Sequence, residues 1–374
     1  MSVAFVLFFG GNASTTIERR LDAVRLAIAV HALRAAAQAG FVPLLTVTPD
    51  AAVREALASE AEVVRPATAP FHLGVELRRL ARDRGIERIC LTGAGYGALL
   101  TAADLRGVRE RVAAAEQILV TNNYYSGDLV AFAPASALDA VDLPATDNPL
   151  PRLLHQQAGL PTHELPRSAP WLLDVDTPTD ATILARDARC PPEVRAVGAW
   201  EREIGPRIDR IAALLVTPDV EVVVAGRVGA PVWAFLETQT ACRIRMLAEE
   251  RGMQAAGRDA SGAARTVLGF LYEQLGPRRF FERMGELGQG LILDSRVLFA
   301  HLGLRLSAAD RFASDAFDVA AIDDPALRTF TEAAAAAPIP VLLGGHSVVA
   351  GALFALAEVA WQRPLSSAPG ASAR

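Results

Sequence analysis

Lysine is absent from this chain: all 37 basic side chains among its 374 residues are arginine. A Gly-x-x-x-x-Gly-Lys phosphate loop is therefore excluded, because that loop places its lysine on the phosphates. Cysteine is scarce as well. Cys90, Cys190 and Cys242 stand far apart, the count is odd, and no Cys-x-x-Cys occurs. Neither a disulfide framework nor a thiolate metal site is indicated. An excess of positive charge is missing too, since 42 acids outweigh the arginines and leave a net charge of -5. That excludes a chain-wide electrostatic affinity for nucleic acid. No apolar run reaches the roughly 20 residues of a spanning helix. The apolar start at 3–9 lacks a basic flank and a small-residue cleavage signal. The expected location is cytoplasmic, with no membrane partner.

What is present is apolar material, 51% of the residues against 21% charged. This suffices for large buried cores and excludes wholesale disorder. At about 100–200 residues per domain, the length suggests two domains. The pattern is strand, loop, helix, strand. A β-prone run at 3–9 ends in Gly10-Gly11-Asn12, an Ala-rich helix spans 16–39, Gly40 closes it, and a strand follows at 42–47. Further strands are expected at 88–92, 117–122, 129–133 and 162–165, with helices between them. Such alternation predicts a mostly parallel three-layer α/β sheet.

Breaks at Cys190-Pro191-Pro192 and Gly205-Pro206 mark a linker region. The first domain is expected over 1–190 and a second, smaller α/β domain with a helical insert over 205–363. Residues 364–374, rich in Ser, Ala and Pro, read as a disordered tail.

Loops at the carboxyl ends of parallel strands are the usual ligand sites of open α/β sheets. Gly10, Gly11 and Asn12 precede a helix whose N-terminus suits phosphate; turn chemistry alone is the alternative. Gly93-Ala94-Gly95-Tyr96-Gly97 holds more glycine than a simple turn requires. Close approach of a ligand or of another backbone explains it, with Tyr96 stacking on a base or covering the sheet edge. Asn122 and Asn123, followed by Tyr124 and Tyr125, supply amides able to read donors and acceptors. An Asx-rich hairpin loop is the alternative. In the second half, Arg227 between Gly226 and Gly229 reads as a phosphate or carboxylate clamp. Asp294 and Arg296 read as a buried pair, and His346 and Ser347 sit in another glycine loop.

The densest signal is the segment from Trp171 to Asp180, Trp-Leu-Leu-Asp-Val-Asp-Thr-Pro-Thr-Asp. In an extended strand Asp174 and Asp176 share a face. Together they suit a divalent cation or a polyol; hydrated acids at a strand end are the alternative. Thr177 and Pro178 then cap and open a helix.

Four segments in order carry a family resemblance: 8–14, 91–105 with its Leu99-Leu100-Thr101-x-x-Asp104-Leu105 helix start, Ser126-Gly127-Asp128, and 173–180. Residues 3–187 resemble the MobA-like nucleotidyltransferases, the group of molybdenum-cofactor and phospholactate guanylyltransferases. The resemblance implies a nucleotide-diphospho-sugar-transferase-like three-layer fold. It implies a nucleotide contacting Gly10, Gly11, Asn12, Gly93, Gly95, Tyr96, Asn122 and Asn123. It also implies Mg²⁺ on Asp174 and Asp176, and nucleotidyl transfer to a phosphate or hydroxyl acceptor. Two departures stand out. The lysine of the family's first loop never arrives, and Gly95-Tyr96-Gly97 replaces the loop that normally holds a metal-binding aspartate. Arg227 is the expected compensating cation, so Asp174, Asp176 and Arg227 form the candidate catalytic set.

Three functions stay open on the sequence. One is a nucleotidyltransferase, or a descendant that binds a nucleotide or sugar phosphate. Another is a binding or assembly protein on a degenerate transferase fold, with a homodimer as its expected form. The third is a different two-domain enzyme that uses the cleft between the halves, led by Arg227, Asp294 and His346.

Overall fold

The computed structural model describes residues 1–11, 13–198 and 200–362. Asn12 and the expected tail at 364–374 lie outside the described residues. The chain divides into two compact units: Met1–Val175 with Cys190–Gly198, and Asp176–Arg189 with Ala199–Arg374. The division falls inside the acidic segment, so residues 176–189 pack with the second unit rather than with the first domain as drawn from the sequence.

The first unit is built on seven strands: β1 (Ala4–Phe8), β2 (Leu44–Val47), β3 (Glu62–Val64), β4 (Ile89–Gly93), β5 (Ile118–Thr121), β6 (Leu129–Ala133) and β7 (Thr162–Glu164). Their order is β3-β2-β1-β4-β6-β5-β7. Every pairing is parallel except those of β6, which runs antiparallel to both β4 and β5. β1 lies inside the sheet between β2 and β4, and all five of its residues are buried. A strand covered on both faces reads as an unbroken apolar run, which is why 3–9 shows no alternation.

The pleat of β1 feeds two cores. Phe5 and Leu7 pack with Ala29, Ala32, Leu33, Leu105 and Val108 on one face. Ala4, Val6 and Phe8 pack with Leu73, Leu77, Leu80, Leu150 and Leu154 on the other. The result is a three-layer α/β sandwich with a mostly parallel sheet, as the sequence led us to expect.

Local signals set the element ends. The helix Thr16–Ala39 starts at a Thr15/Glu18 capping box and stops at Gly40, whose φ of 84° is left-handed. The helix Ala102–Ala114 starts at a Thr101/Asp104 box. The helix Pro178–Arg186 starts at a Thr177/Asp180 box with proline in its first turn.

The second unit holds four strands, β8 (Glu221–Gly226), β9 (Arg243–Ala248), β10 (Gly290–Asp294) and β11 (Val341–Gly344), in the order β11-β10-β8-β9. All three pairings are parallel. The two helices expected over 261–275 and 277–286 are both present within Val267–Leu287, separated at Gly276, whose φ of 72° and ψ of 168° are not helical. No helix among the described residues is long and apolar enough to cross a membrane.

The expected strand through Trp171–Asp176 does not form. Pro170 sits in the first turn of a four-residue helix, Ala169–Leu172. Asp174 then makes a single antiparallel bridge with Tyr96. Alternation of Asp174 and Asp176 on one strand face therefore does not apply.

Candidate functional site

The strand order locates a crevice in the first unit. From β1 the chain steps outward through β2 and β3, then returns to place β4 on the other side of β1. Such a switch point opens a gap beyond the carboxyl ends of the two strands. Phe8 and Gly93 are register partners there. Among the described residues, a side chain at Gly10 would meet no atom within 4 Å, and the same holds at Gly93. Both strand ends thus face open space.

The next glycines serve close approach instead. A Cβ on Gly95 would lie 2.6 Å from Asp174 Oδ1 and 2.9 Å from Val175 O. The Val175 N–H donates to Gly95 O at 3.0 Å. Gly95 is therefore what lets the half-buried Asp174 carboxylate reach the carboxyl end of β4. Gly11 has a φ of 152°, and its Cβ would lie 2.9 Å from Asp22 Oδ2.

Asp22 and Arg25 were not singled out in the sequence. They sit one helical turn apart in Thr16–Ala39, a spacing that shares a face. Arg25 Nε donates to Val175 O at 3.0 Å. Its Nη1 lies 3.4 Å from Asp22 Oδ1. Burial raises the Asp22 carboxyl above the usual range, against the pull of Arg25.

Two of the proposed nucleotide contacts are corrected by the structure. Tyr96 is 1% exposed, lies in the core beside Phe5 and Leu105, and donates its hydroxyl to Trp171 O at 3.0 Å. A ring held there offers no face to a base. Asn122 is fully buried. Its amide nitrogen donates to Asp128 Oδ2 and Trp171 O, both at 2.9 Å. Its oxygen accepts from Asp128 N at 3.0 Å and Leu129 N at 3.1 Å. Both amide atoms are spent on closing the 122–128 loop. Asn123 is half-buried, and its Oδ1 accepts from Tyr125 N at 3.2 Å, an Asx turn.

Asp176 belongs to the second unit and is exposed. Its backbone N–H donates to Asp180 Oδ2 at 3.2 Å, extending the cap of the helix Pro178–Arg186. Asp180 is fully buried, and its Oδ1 has no hydrogen-bond partner among the described residues. Burial, then the nearby Asp176 charge, pushes its carboxyl up to about 8. Among the described residues, no group of three or more His, Cys, Asp or Glu is arranged to hold a metal ion.

The second unit has its own switch point, between β8 and β10, and it is filled. A Cβ on Gly226, whose φ is 126°, would lie 2.5 Å from Asp294 Cβ. Arg227 Nε donates to Asp294 Oδ2 at 2.6 Å and Nη2 to Oδ1 at 3.1 Å. Arg227 is 7% exposed and Asp294 is fully buried. Burial alone would raise the Asp294 carboxyl, but the Arg227 guanidinium holds it below the usual range.

This corrects two expectations. Arg227 clamps a carboxylate of its own chain rather than standing ready for a ligand. Arg296 does not pair with Asp294; its guanidinium is bidentate to the buried Asp315. His346 lies on the same edge, where burial and then Arg227 lower its pKa to about 4, so it is neutral at pH 7.

Comparison with known proteins adds the following. No protein-family model matches the chain, and no curated protein matches it. Solved structures do align with part of it. A nucleotidyl transferase from Methanothermobacter thermautotroptrophicus is 18% identical, with a TM-score of 0.35 over 48% of this chain and 89% of that one. A cytidylyltransferase from Leptospira borgpetersenii is 12% identical, with a TM-score of 0.40 over 53% and 92%. The protein Rv0371c of Mycobacterium tuberculosis is 22% identical, with a TM-score of 0.34 over 48% and 95%. The fold assignment itself rests on the strand order and register above.

Proposed function

We propose that the first unit is a nucleotidyltransferase-like unit that binds a nucleoside triphosphate at the carboxyl edge of β1 and β4. In this reading it transfers the nucleotidyl group to a phosphate or hydroxyl acceptor. The observation that carries the reading is the open switch point. Gly10 and Gly93 leave space at two adjacent strand ends, and Gly95 brings Asp174 to its border. Backbone N–H groups and glycines permit close approach of phosphates.

Mg²⁺ fits the donor set. This ion is commonly held by one or two carboxylates together with substrate phosphates rather than by an all-protein cage. Asp174 is the carboxylate that would hold it, and the ion would supply charge neutralisation at the phosphates. The chain's own contribution is positional: the first loop and Gly95 set the nucleotide against Asp174 and narrow its approach.

Calorimetric titration of the whole protein with GTP, CTP, ATP and UTP, with and without Mg²⁺, tests the reading. Binding of one nucleotide that needs Mg²⁺ and weakens in Asp174→Asn is the expected result. Absence of binding by all four would contradict it.

A second reading has its own supporting observation. Arg227, Asp294 and His346 do meet at one edge of the second sheet. If that edge is the reacting centre, His346→Gln abolishes activity while Asp174→Asn leaves it unchanged.

A further inference from the structure

The geometry points to Phe71 as the ring on which the nucleobase stacks, on a loop that the buried Glu76 holds in place. This inference rests on the nucleotide-binding reading of the first unit. With Tyr96 packed in the core, the base needs another flat apolar face at that edge if it is to leave water. Among the described residues, the first unit exposes two large aromatic side chains, Phe71 at 44% and Tyr125 at 62%.

Both stand on the carboxyl edge of the sheet. Phe71 lies between β3 and the helix Leu73–Arg84, and β3, β2 and β1 all run parallel. Tyr125 follows β5, which runs antiparallel to β6 and therefore in the direction of β4. Their distances from the crevice differ. The Phe71 ring packs on Phe8, the last residue of β1, with centroids 5.7 Å apart and planes at 61°. Two residues beyond Phe8 is Gly10, with its open side-chain position. The end of β5 is two strands away from the end of β4, about 10 Å at the usual strand spacing. Phe71 is thus the exposed ring that adjoins the crevice.

A single exposed phenylalanine is ordinary on a protein surface. What sets Phe71 apart is how its loop is held. Glu76 is fully buried, and its Oε1 accepts from Ala67 N at 2.6 Å and from Thr68 N at 2.5 Å. Its Oε2 accepts from Arg79 Nε at 3.0 Å and Nη2 at 2.9 Å. Beyond the ring, His72 N donates to Thr68 Oγ1 at 3.2 Å and Leu73 N to Ala145 O at 3.1 Å. Burying a carboxylate is unfavourable unless it is paired and hydrogen-bonded. Here its bonds fix the loop on the N-terminal side of Phe71, and the helix start fixes the other side. A ring fixed before the ligand arrives removes an ordering cost from binding.

The test compares the nucleoside triphosphate that binds best with inorganic tripolyphosphate, which has no base, each titrated calorimetrically into the whole protein with Mg²⁺. Phe71→Ala is expected to weaken the nucleotide about fivefold or more, the loss of one stacked base, and to change tripolyphosphate less than about twofold. Phe71→Tyr keeps the face and is expected to bind like the wild type. Glu76→Ala frees the loop and is expected to give the same base-selective loss, with Glu76→Gln restoring affinity. Tyr125→Ala is expected to match the wild type. In Phe71→Trp the added indole emission is expected to be quenched by the nucleotide and unchanged by tripolyphosphate. Equal weakening of both probes in Phe71→Ala, no weakening of the nucleotide, unquenched emission in Phe71→Trp, or a loss in Tyr125→Ala instead, overturns the assignment while leaving the nucleotide site standing. A wild-type protein that binds no nucleotide overturns both.

Discussion

The two sheets of this chain reverse their winding in the same way and finish their switch points in opposite ways. In the first unit Gly10, just past the end of β1, and Gly93, at the end of β4, have no atom of the described residues where a side chain would sit. In the second, Gly226 is required because Asp294 occupies that space, and a buried Arg227–Asp294 fork closes the gap. Topology thus says where a crevice can form, and side chains decide whether it stays open. A buried ion pair in that position is weak evidence for function. Its attraction mainly repays its own desolvation, and breaking it is costly.

That contrast predicts the largest mutational effect. Asp294→Ala leaves Arg227 buried without its counter-charge and is expected to cost about 3–5 kcal/mol in urea unfolding. A loss below 1 kcal/mol would mean that the second switch point is not sealed by this pair.

The pH dependence of stability separates two groups of the same unit. Asp180 has a folded pKa raised to about 8. Between about pH 4 and 8 the unfolded chain ionises this group while the folded chain keeps it protonated. Its contribution is therefore present in acid and lost as pH rises towards 8. His346 has a folded pKa lowered to about 4. Its contribution is present above the unfolded value near 6.5 and is lost as pH falls towards 4. Unfolding free energies measured from pH 4 to 9 should lose part of their alkaline decline in Asp180→Asn and part of their acid decline in His346→Gln. Unchanged slopes in both variants would contradict these assignments.

Matched glycine substitutions compare the two switch points directly. Gly226→Ala must adopt a left-handed φ against Asp294 Cβ and is expected to cost about 2 kcal/mol or more. Gly93→Ala, facing open space, is expected to stay within about 1 kcal/mol of wild type. It should nonetheless weaken nucleotide binding, since the methyl group enters the crevice. Equal costs at the two positions would erase the comparison.

The smallest effect belongs to Tyr96→Phe. Loss of its buried hydrogen bond to Trp171 O should cost about 0.5–1.5 kcal/mol and leave nucleotide affinity unchanged. A large drop in affinity would restore Tyr96 to the binding site.

Much of the fold was legible because its signals are local. The unbroken apolar run of β1 announces a strand covered on both faces. Thr101 with Asp104, Thr177 with Asp180, and Gly40 mark helix ends by hydrogen bonds within a few residues. The site was less legible because its decisive contacts are distant. Trp171 O accepts from both Tyr96, 75 residues away, and Asn122, 49 residues away. No local pattern reveals that these polar groups are already satisfied. The alternation of Asp174 and Asp176 suggested a strand, but Pro170 starts a helical turn and leaves only one bridge residue. Arg25 was hidden for the converse reason. Within a helix rich in Arg and Ala its side chain looks like any solvated arginine, and its bond to Val175 O spans 150 residues that no local pattern connects.

The most direct test is a crystal structure of the whole protein with Mn²⁺ and the best-binding nucleoside triphosphate, with the metal located by its anomalous signal. The account predicts a metal peak at the Asp174 carboxylate and the triphosphate beyond the ends of β1 and β4. Nucleotide density at the carboxyl edge of β8 and β10, or a metal bound away from Asp174, would contradict it.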